Sequence, residues 1–210
     1  MTVSEPRASR GETSPVSARQ RILDSSYHLF SRHGIRAVGV DKVIANSGVA
    51  KMTLYRHFAS KDELVLEFLR RREELWTRGW VEEETGRRAT APDERLLAIF
   101  DIFDEWFHQD DFEGCSFINV LLEIADRTHA IHVAAAEHLT TIREFVRGLA
   151  AAAGVADPDN FSRQWHVLMK GSIVAAGEGD VDAARRARQI GELLLAHERQ
   201  RLAPPSRQRK

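Results

Sequence analysis

The sequence predicts an all-α protein of nine helices, and three observations carry that reading. Apolar residues recur at i, i+3, i+4 and i+7, the period of an amphipathic helix. Val- and Ile-rich runs with period two, the mark of a half-buried strand, are missing. The periodic stretches are also punctuated by residues that start helices (Ser60, Pro92, Asp157) and residues that stop them (Gly34, Gly154, Gly177).

The elements follow in order. Residues 17–33 carry the stripe Ile22, Leu23, Tyr27, Phe30, and Gly34 suits a left-handed C-terminal cap. Short helices are expected at 40–47 and 50–57. Ser60-Lys61-Asp62-Glu63 reads as a capping box, Ser60 and Glu63 each satisfying an orphan N–H, and opens a long helix to about residue 84. Residues 86–91 break the chain. Pro92 starts the next helix, where its missing N–H costs nothing, and Leu96, Ile99, Phe100, Phe103, Trp106 and Phe107 give it a wide apolar face. After a loop at 110–114 come helices at 115–125 and 128–153, the second carrying Leu139, Ile142, Val146 and Leu149. Asp157-Pro158 supplies N-cap and N1 of a helix to about 176 with the face Phe161, Trp165, Leu168, Met169, and Asp180 is placed to cap a last helix to about 200.

Composition narrows the function classes. The chain has 210 residues, 43% of them apolar, enough for one large or two small packed domains. No run of about 18 apolar residues occurs, so no membrane partner is expected. The first twenty residues have no apolar stretch of the secretory kind. Cys115 is the sole cysteine, which excludes an intrachain disulfide and fits a cytoplasmic location. Residues 1–60 hold nine Lys/Arg against four Asp/Glu, net +5, whereas the remainder holds 21 against 27, net −6. A basic end on an otherwise acidic chain suits contact with a polyanion there alone, although a solvated face would look the same. Residues 1–16, polar and aperiodic, read as a disordered arm, and 203–210, with Pro204-Pro205 and three cations, as a disordered basic tail.

The most informative stretch is residues 34–64, GIRAVGVDKVIANSGVAKMTLYRHFASKDEL. Val40, Val43 and Ile44 give one short helix an inward face. Gly48 lies in a tight turn and is free to take positive φ. Leu54 and Phe58, at i and i+4, give the second helix its inward face and leave Lys51, Met52, Tyr55 and Arg56 outward. A short helix buried along one stripe, with cations and aromatics on the other, suits a major groove.

This stretch resembles the TetR family of bacterial regulators. The family pattern appears here as Gly34, Val40, Val43, Gly48-Val49-Ala50, Thr53-Leu54-Tyr55, His57-Phe58, Ser60-Lys61-Asp62 and Leu64. There are departures: Gly39 stands where Ser or Thr usually caps the first helix of the pair, and Ile44 and Ser47 stand where Ala is usual. The resemblance implies a three-helix helix-turn-helix domain over 17–60 and a helical effector-binding and dimerisation domain over 61–202. It implies a DNA-binding transcriptional regulator, a repressor released from a palindromic operator by a small molecule that shifts the long fourth helix. It implies a homodimer through the last two helices, no cofactor, and no enzymatic activity.

The DNA-contacting candidates are Lys51, Met52, Thr53, Tyr55, Arg56, His57 and Lys61. Lys61 opens a helix, where its charge adds to the positive dipole end; an arriving phosphate would reverse that local cost. Phe103, Trp106, Phe107, Phe117, Trp165 and Met169, with Asn119 as a polar handle, either line an effector pocket or are plain core. Gly114-Cys115-x-Phe117-Ile118-Asn119 followed by Glu123 resembles a segment that begins a cavity-lining helix in one TetR subgroup. Phe161, Trp165, Ala187, Ile190, Gly191 and Leu194 are the candidate dimer seam. His129, His132 and His138 raise a metal site, but no carboxylate at i+7 and no HExxH supports one, and no metal is expected. Neither GxSxG, P-loop nor Rossmann glycines occur, so an enzyme has no motif beneath it.

Overall fold

The computed structural model describes residues 16–202. The expected arm, apart from Val16, and the expected tail lie outside the described residues. Among the described residues there are nine continuous helices and no strand: α1 (Ala18–Ala37), α2 (Val40–Ser47), α3 (Lys51–His57), α4 (61–88), α5 (Pro92–Phe107), α6 (Ser116–Glu123), α7 (Ala130–Ala152), α8 (Pro158–Gly177) and α9 (Ala183–Leu202). α4 is α-helical over Lys61–Arg72, π-helical over Glu73–Glu82 and α-helical again over Glu83–Arg88. No helix among the described residues is long and apolar enough to cross a membrane.

The boundaries differ from expectation in three instructive places. Gly34 does take a positive φ (77°), but with ψ 164° it does not cap a left-handed turn; it kinks α1, and a short turn resumes to Ala37. Gly86 does not break α4, because Thr85 is buried and accepts from Ala89 N–H, carrying the last turn to Arg88. α9 starts at Ala183, and Asp180 is engaged elsewhere, pairing with Arg186. Asp157 does cap α8, accepting from Asn160 N–H at 3.0 Å.

The chain falls into two compact units, residues up to 78 with 115–140, and residues 79–114 with 141 onward. In the first unit α1 packs on α2, α3, α4 and α6. Ile22, Val38, Val43, Leu54, Leu64 and Phe68 are fully or almost fully buried there, and Tyr27 and Phe30 meet Phe68 edge-on at 5.7 and 5.6 Å. Burial of each such side chain contributes roughly 1.5–3 kcal/mol. Polar ties hold the same two helices: Arg71 with Asp24 at 2.6 Å, Arg72 donating to the Tyr27 hydroxyl at 2.8 Å, and Arg19 with Glu67 at 2.9 Å. The hydrogen bonds from Arg70 and Arg19 hold the Glu67 carboxyl at about 2.

In the second unit α9 packs on α5 and α8. Trp165 of α8 is fully buried, stacked on Phe161 at 5.3 Å and 5.2 Å from Phe100 of α5. α9 approaches so closely that a Cβ on Gly191 would lie 2.7 Å from Trp165 Cη2. Phe103, Trp106, Phe107 and Phe112 form an adjoining cluster with ring centroids 4.9–5.8 Å apart.

Candidate nucleic-acid interface

Residues 16–60 build a helix pair on a common core. α2 ends at Gly48, whose left-handed conformation (φ 64°, ψ 28°) lets its N–H return to Ile44 carbonyl and turns the chain tightly into α3. Leu54 (0% exposed) and Phe58 (2%) anchor α3 to that core. The opposite face is therefore fixed in the open: Met52 is 79% exposed, Tyr55 40%, and Lys51 and Arg56 are exposed beside them. Thr53 and His57 sit half-buried on the flanks. Lys51 reaches Asp41 at 3.5 Å, a loose contact between two solvated side chains. Tyr55, Arg56 and Lys61 form no hydrogen bond or ion pair among the described residues, so their polar ends are available to an outside partner.

Lys61 occupies the first position of α4. Ser60 caps that helix by accepting from Glu63 N–H at 3.1 Å, as the spacing predicts. The Glu63 carboxylate, however, reaches one residue further back than a standard box, accepting from Ala59 N–H at 2.6 Å. The remaining N–H groups at this end and the Lys61 ammonium present a positive face that suits a phosphate. Gly39 caps α2 with backbone alone, as its replacement of Ser or Thr implies.

On α1 this surface extends past the positions that the sequence singles out. His28, Arg32 and His33 on α1 and Lys42 on α2 are all exposed, and the other three lie close enough to His33 to act on its charge. Partial desolvation and the charges of Lys42, Arg32 and His28 push the His33 imidazole below its ordinary value. The i, i+4 pair His28 and Arg32 was the available signal for this cationic strip.

The remaining candidates are distributed differently from a single cavity lining. Phe103, Trp106, Phe107, Trp165 and Met169 lie in the second unit and Phe117 and Asn119 in the first. Each of the apolar ones is at most 6% exposed. Among the described residues, the Trp165 indole N–H has no hydrogen-bond acceptor and the buried Thr77 hydroxyl has no partner. A cavity of about 410 Å³ in the first unit is lined by other residues, among them Arg127, His132, Val133 and Glu137. Of the seam candidates, Phe161, Trp165, Ala187 and Gly191 are covered within one subunit and Leu194 is half-buried, whereas Ile190 is 47% exposed. The three histidines face separate partners: His132 Nδ1 meets Ile124 carbonyl at 2.7 Å, His138 pairs with Glu73, and His129 Nε2 lies 3.5 Å from Asp62. Asp104, His108 and Asp182 do converge, but Arg185 already neutralises both carboxylates, at 3.1 and 2.8 Å.

Residues 22–68 match the family of bacterial regulatory proteins of the tetR type, and residues 92–190 match the tetracyclin repressor-like C-terminal domain. A TetR-family transcriptional regulator from Streptomyces coelicolor of known structure is similar with a TM-score of 0.79 and 29% identity, over 86% of this chain and 95% of that one. The HTH-type transcriptional regulator YjdC of Escherichia coli (strain K12) is 23% identical over 175 residues, 80% of this chain and 90% of that protein. The HTH-type transcriptional activator FasR of Mycolicibacterium smegmatis is 31% identical over 102 residues, 48% of this chain and 46% of that protein.

Proposed function

Because the chain belongs to the TetR family of DNA-binding transcriptional regulators, and is not an enzyme, we propose that it is a repressor that binds a palindromic operator as a homodimer in the cytoplasm and is released by a small molecule. The observation that carries the DNA half of this reading is the outer face of α3. Lys51, Met52, Tyr55 and Arg56 stand in the open because Leu54 and Phe58 are locked in the core. Lys51 and Arg56 contact bases or phosphates, Thr53, Tyr55 and His57 flank them, and Lys61 takes a phosphate at the start of α4.

The dimer half is supported by the apolar residues that one subunit leaves uncovered on α8 and α9. Val167 is 66% exposed, Val174 50%, Ile190 47% and Leu193 71%. A second copy related by a two-fold axis is the usual solution for such a face. The effector half rests on the buried aromatic cluster of the second unit and on its Trp165 N–H, which has no acceptor among the described residues and which a ligand carrying a hydrogen-bond acceptor would satisfy. Release requires that the ligand favour a shape that binds DNA poorly.

A reporter placed behind a genomic fragment that the chain retains tests the proposal. Removing the chain should raise transcription, and an effector should do the same in its presence. Lowered transcription on removal supports the second reading, an activator, which the likeness to FasR favours.

A further inference from the structure

We propose that Glu123, the last residue of α6, is a positioning residue for DNA binding: its carboxylate latches the junction between α1 and α2 and so fixes the setting of the helix-turn-helix. Gly34 interrupts α1 at φ 77°, ψ 164°, a conformation essentially reserved for glycine. The turn that resumes at residue 35 therefore begins with N–H groups that have lost their partners in the preceding helix. Glu123 answers them from 87–88 residues away. Its Oε1 accepts from Ile35 N–H at 3.2 Å and its Oε2 from Arg36 N–H at 2.6 Å. The carboxylate thus acts as an N-cap supplied by another helix.

Two further observations fit a selected arrangement. A Cβ on residue 34 would lie 2.5 Å from Glu123 Oε1, so the absence of a side chain there gives the carboxylate its seat. Glu123 also stands at the C-terminal end of α6, where a carboxylate opposes that helix's own dipole. Its position is locally unfavourable for α6 and favourable only for the turn it grips. That turn is held from the other side by Ile35 (3% exposed) and Val38 (0%), and it feeds directly into Gly39 and α2. The end of α6 and the entry to the DNA-reading pair therefore cannot shift independently while the latch is closed.

The test uses the full chain and a duplex selected by the wild-type protein. In Glu123→Ala, amide exchange at Ile35 and Arg36 should rise roughly 10–100-fold, as expected for the loss of charge-assisted hydrogen bonds. Affinity for the duplex should fall about tenfold, within the usual range of coupling between sites. Helix content should hold, and the slope of affinity against salt should stay unchanged, because no phosphate contact is removed. Gly34→Ala should reproduce the affinity loss, and the double variant should lose no more than the worse single one, since both open the same latch. Parental exchange at Ile35 and Arg36 in Glu123→Ala would overturn the latch. Faster exchange with parental affinity would overturn its role in positioning. Should Glu123→Ala lose helix content, Glu123→Gln, which keeps the size and one acceptor oxygen, decides: a loss of about threefold supports the proposal and parental affinity overturns it.

Discussion

At the scale of single residues, charge and burial decide the behaviour. Lys61 is half-buried at the first position of α4 and makes no ion pair among the described residues. If it holds a phosphate, Lys61→Ala should weaken binding about equally for all duplexes and lower the salt slope by about 1. Titrations from 50 to 300 mM salt, on the order of the range that resolves such slopes, check this; parallel lines for wild type and variant would remove the phosphate role. His166 is a different case, buried in α8 and held neutral. Burial, with the charges of Lys170 and Arg143, pushes it from 6.5 to about 3. The unfolded chain therefore takes up a proton on this residue before the native chain does. Its contribution is complete above about pH 6.5 and declines toward pH 3, by up to about 1.4 kcal/mol per unit. We expect the wild type to lose about 1–1.5 kcal/mol more than His166→Leu between pH 7.5 and 5.5, measured by denaturant unfolding. Identical pH profiles would show that another group controls the acid sensitivity.

At the scale of elements, much was legible because local chemistry and tertiary packing agree. Leu54 and Phe58 at i and i+4, the glycine turn at 48, the Ser60 cap and the Asp157-Pro158 start all stand where their spacing puts them. The departure at Gly34 arises because a distant residue overrules a local signal. Gly34 looked like an ordinary helix stop, yet Glu123 restarts the turn behind it. In the stripe Ala187, Ile190, Gly191, Leu194, α9 turns Ala187 and Gly191 inward within one subunit and Ile190 outward. A helical period alone does not reveal which neighbour covers a stripe. Two substitutions probe these elements by thermal unfolding. Gly39 has open space around it and caps α2 without a side chain, so Gly39→Ser should stabilise by about 0.3–1 kcal/mol. Gly191→Ala should cost about 1–3 kcal/mol, because its Cβ meets Trp165 and Phe100 in a packed core. A neutral Gly191→Ala would mean that α9 yields more easily than the close approach suggests.

At the scale of the whole molecule, a lone subunit leaves an apolar face that water must cover. Leu193, 71% exposed, contributes little to the subunit's own core, so Leu193→Asp should leave the fold intact. It should, however, place a charge in the proposed seam of the dimer. We expect the wild type to sediment as a dimer at micromolar concentration and Leu193→Asp as a helical monomer. The monomer should lose operator binding, because two half-sites about 34–36 Å apart must be held together. A Leu193→Asp protein that remains dimeric would move the seam elsewhere. The placement of the aromatic residues has an optical consequence. All four tryptophans (76, 80, 106 and 165) follow residue 60, and Trp165 is sealed among Phe100, Phe161 and Gly191. Tryptophan emission, excited selectively on the red side of the tyrosine band, therefore comes wholly from beyond the helix-turn-helix. The protein carries a native tryptophan set with no member on α3 and one sealed in the interior at Trp165. A quench on adding a small compound, with little change on adding duplex, would separate the two binding events without any attached dye.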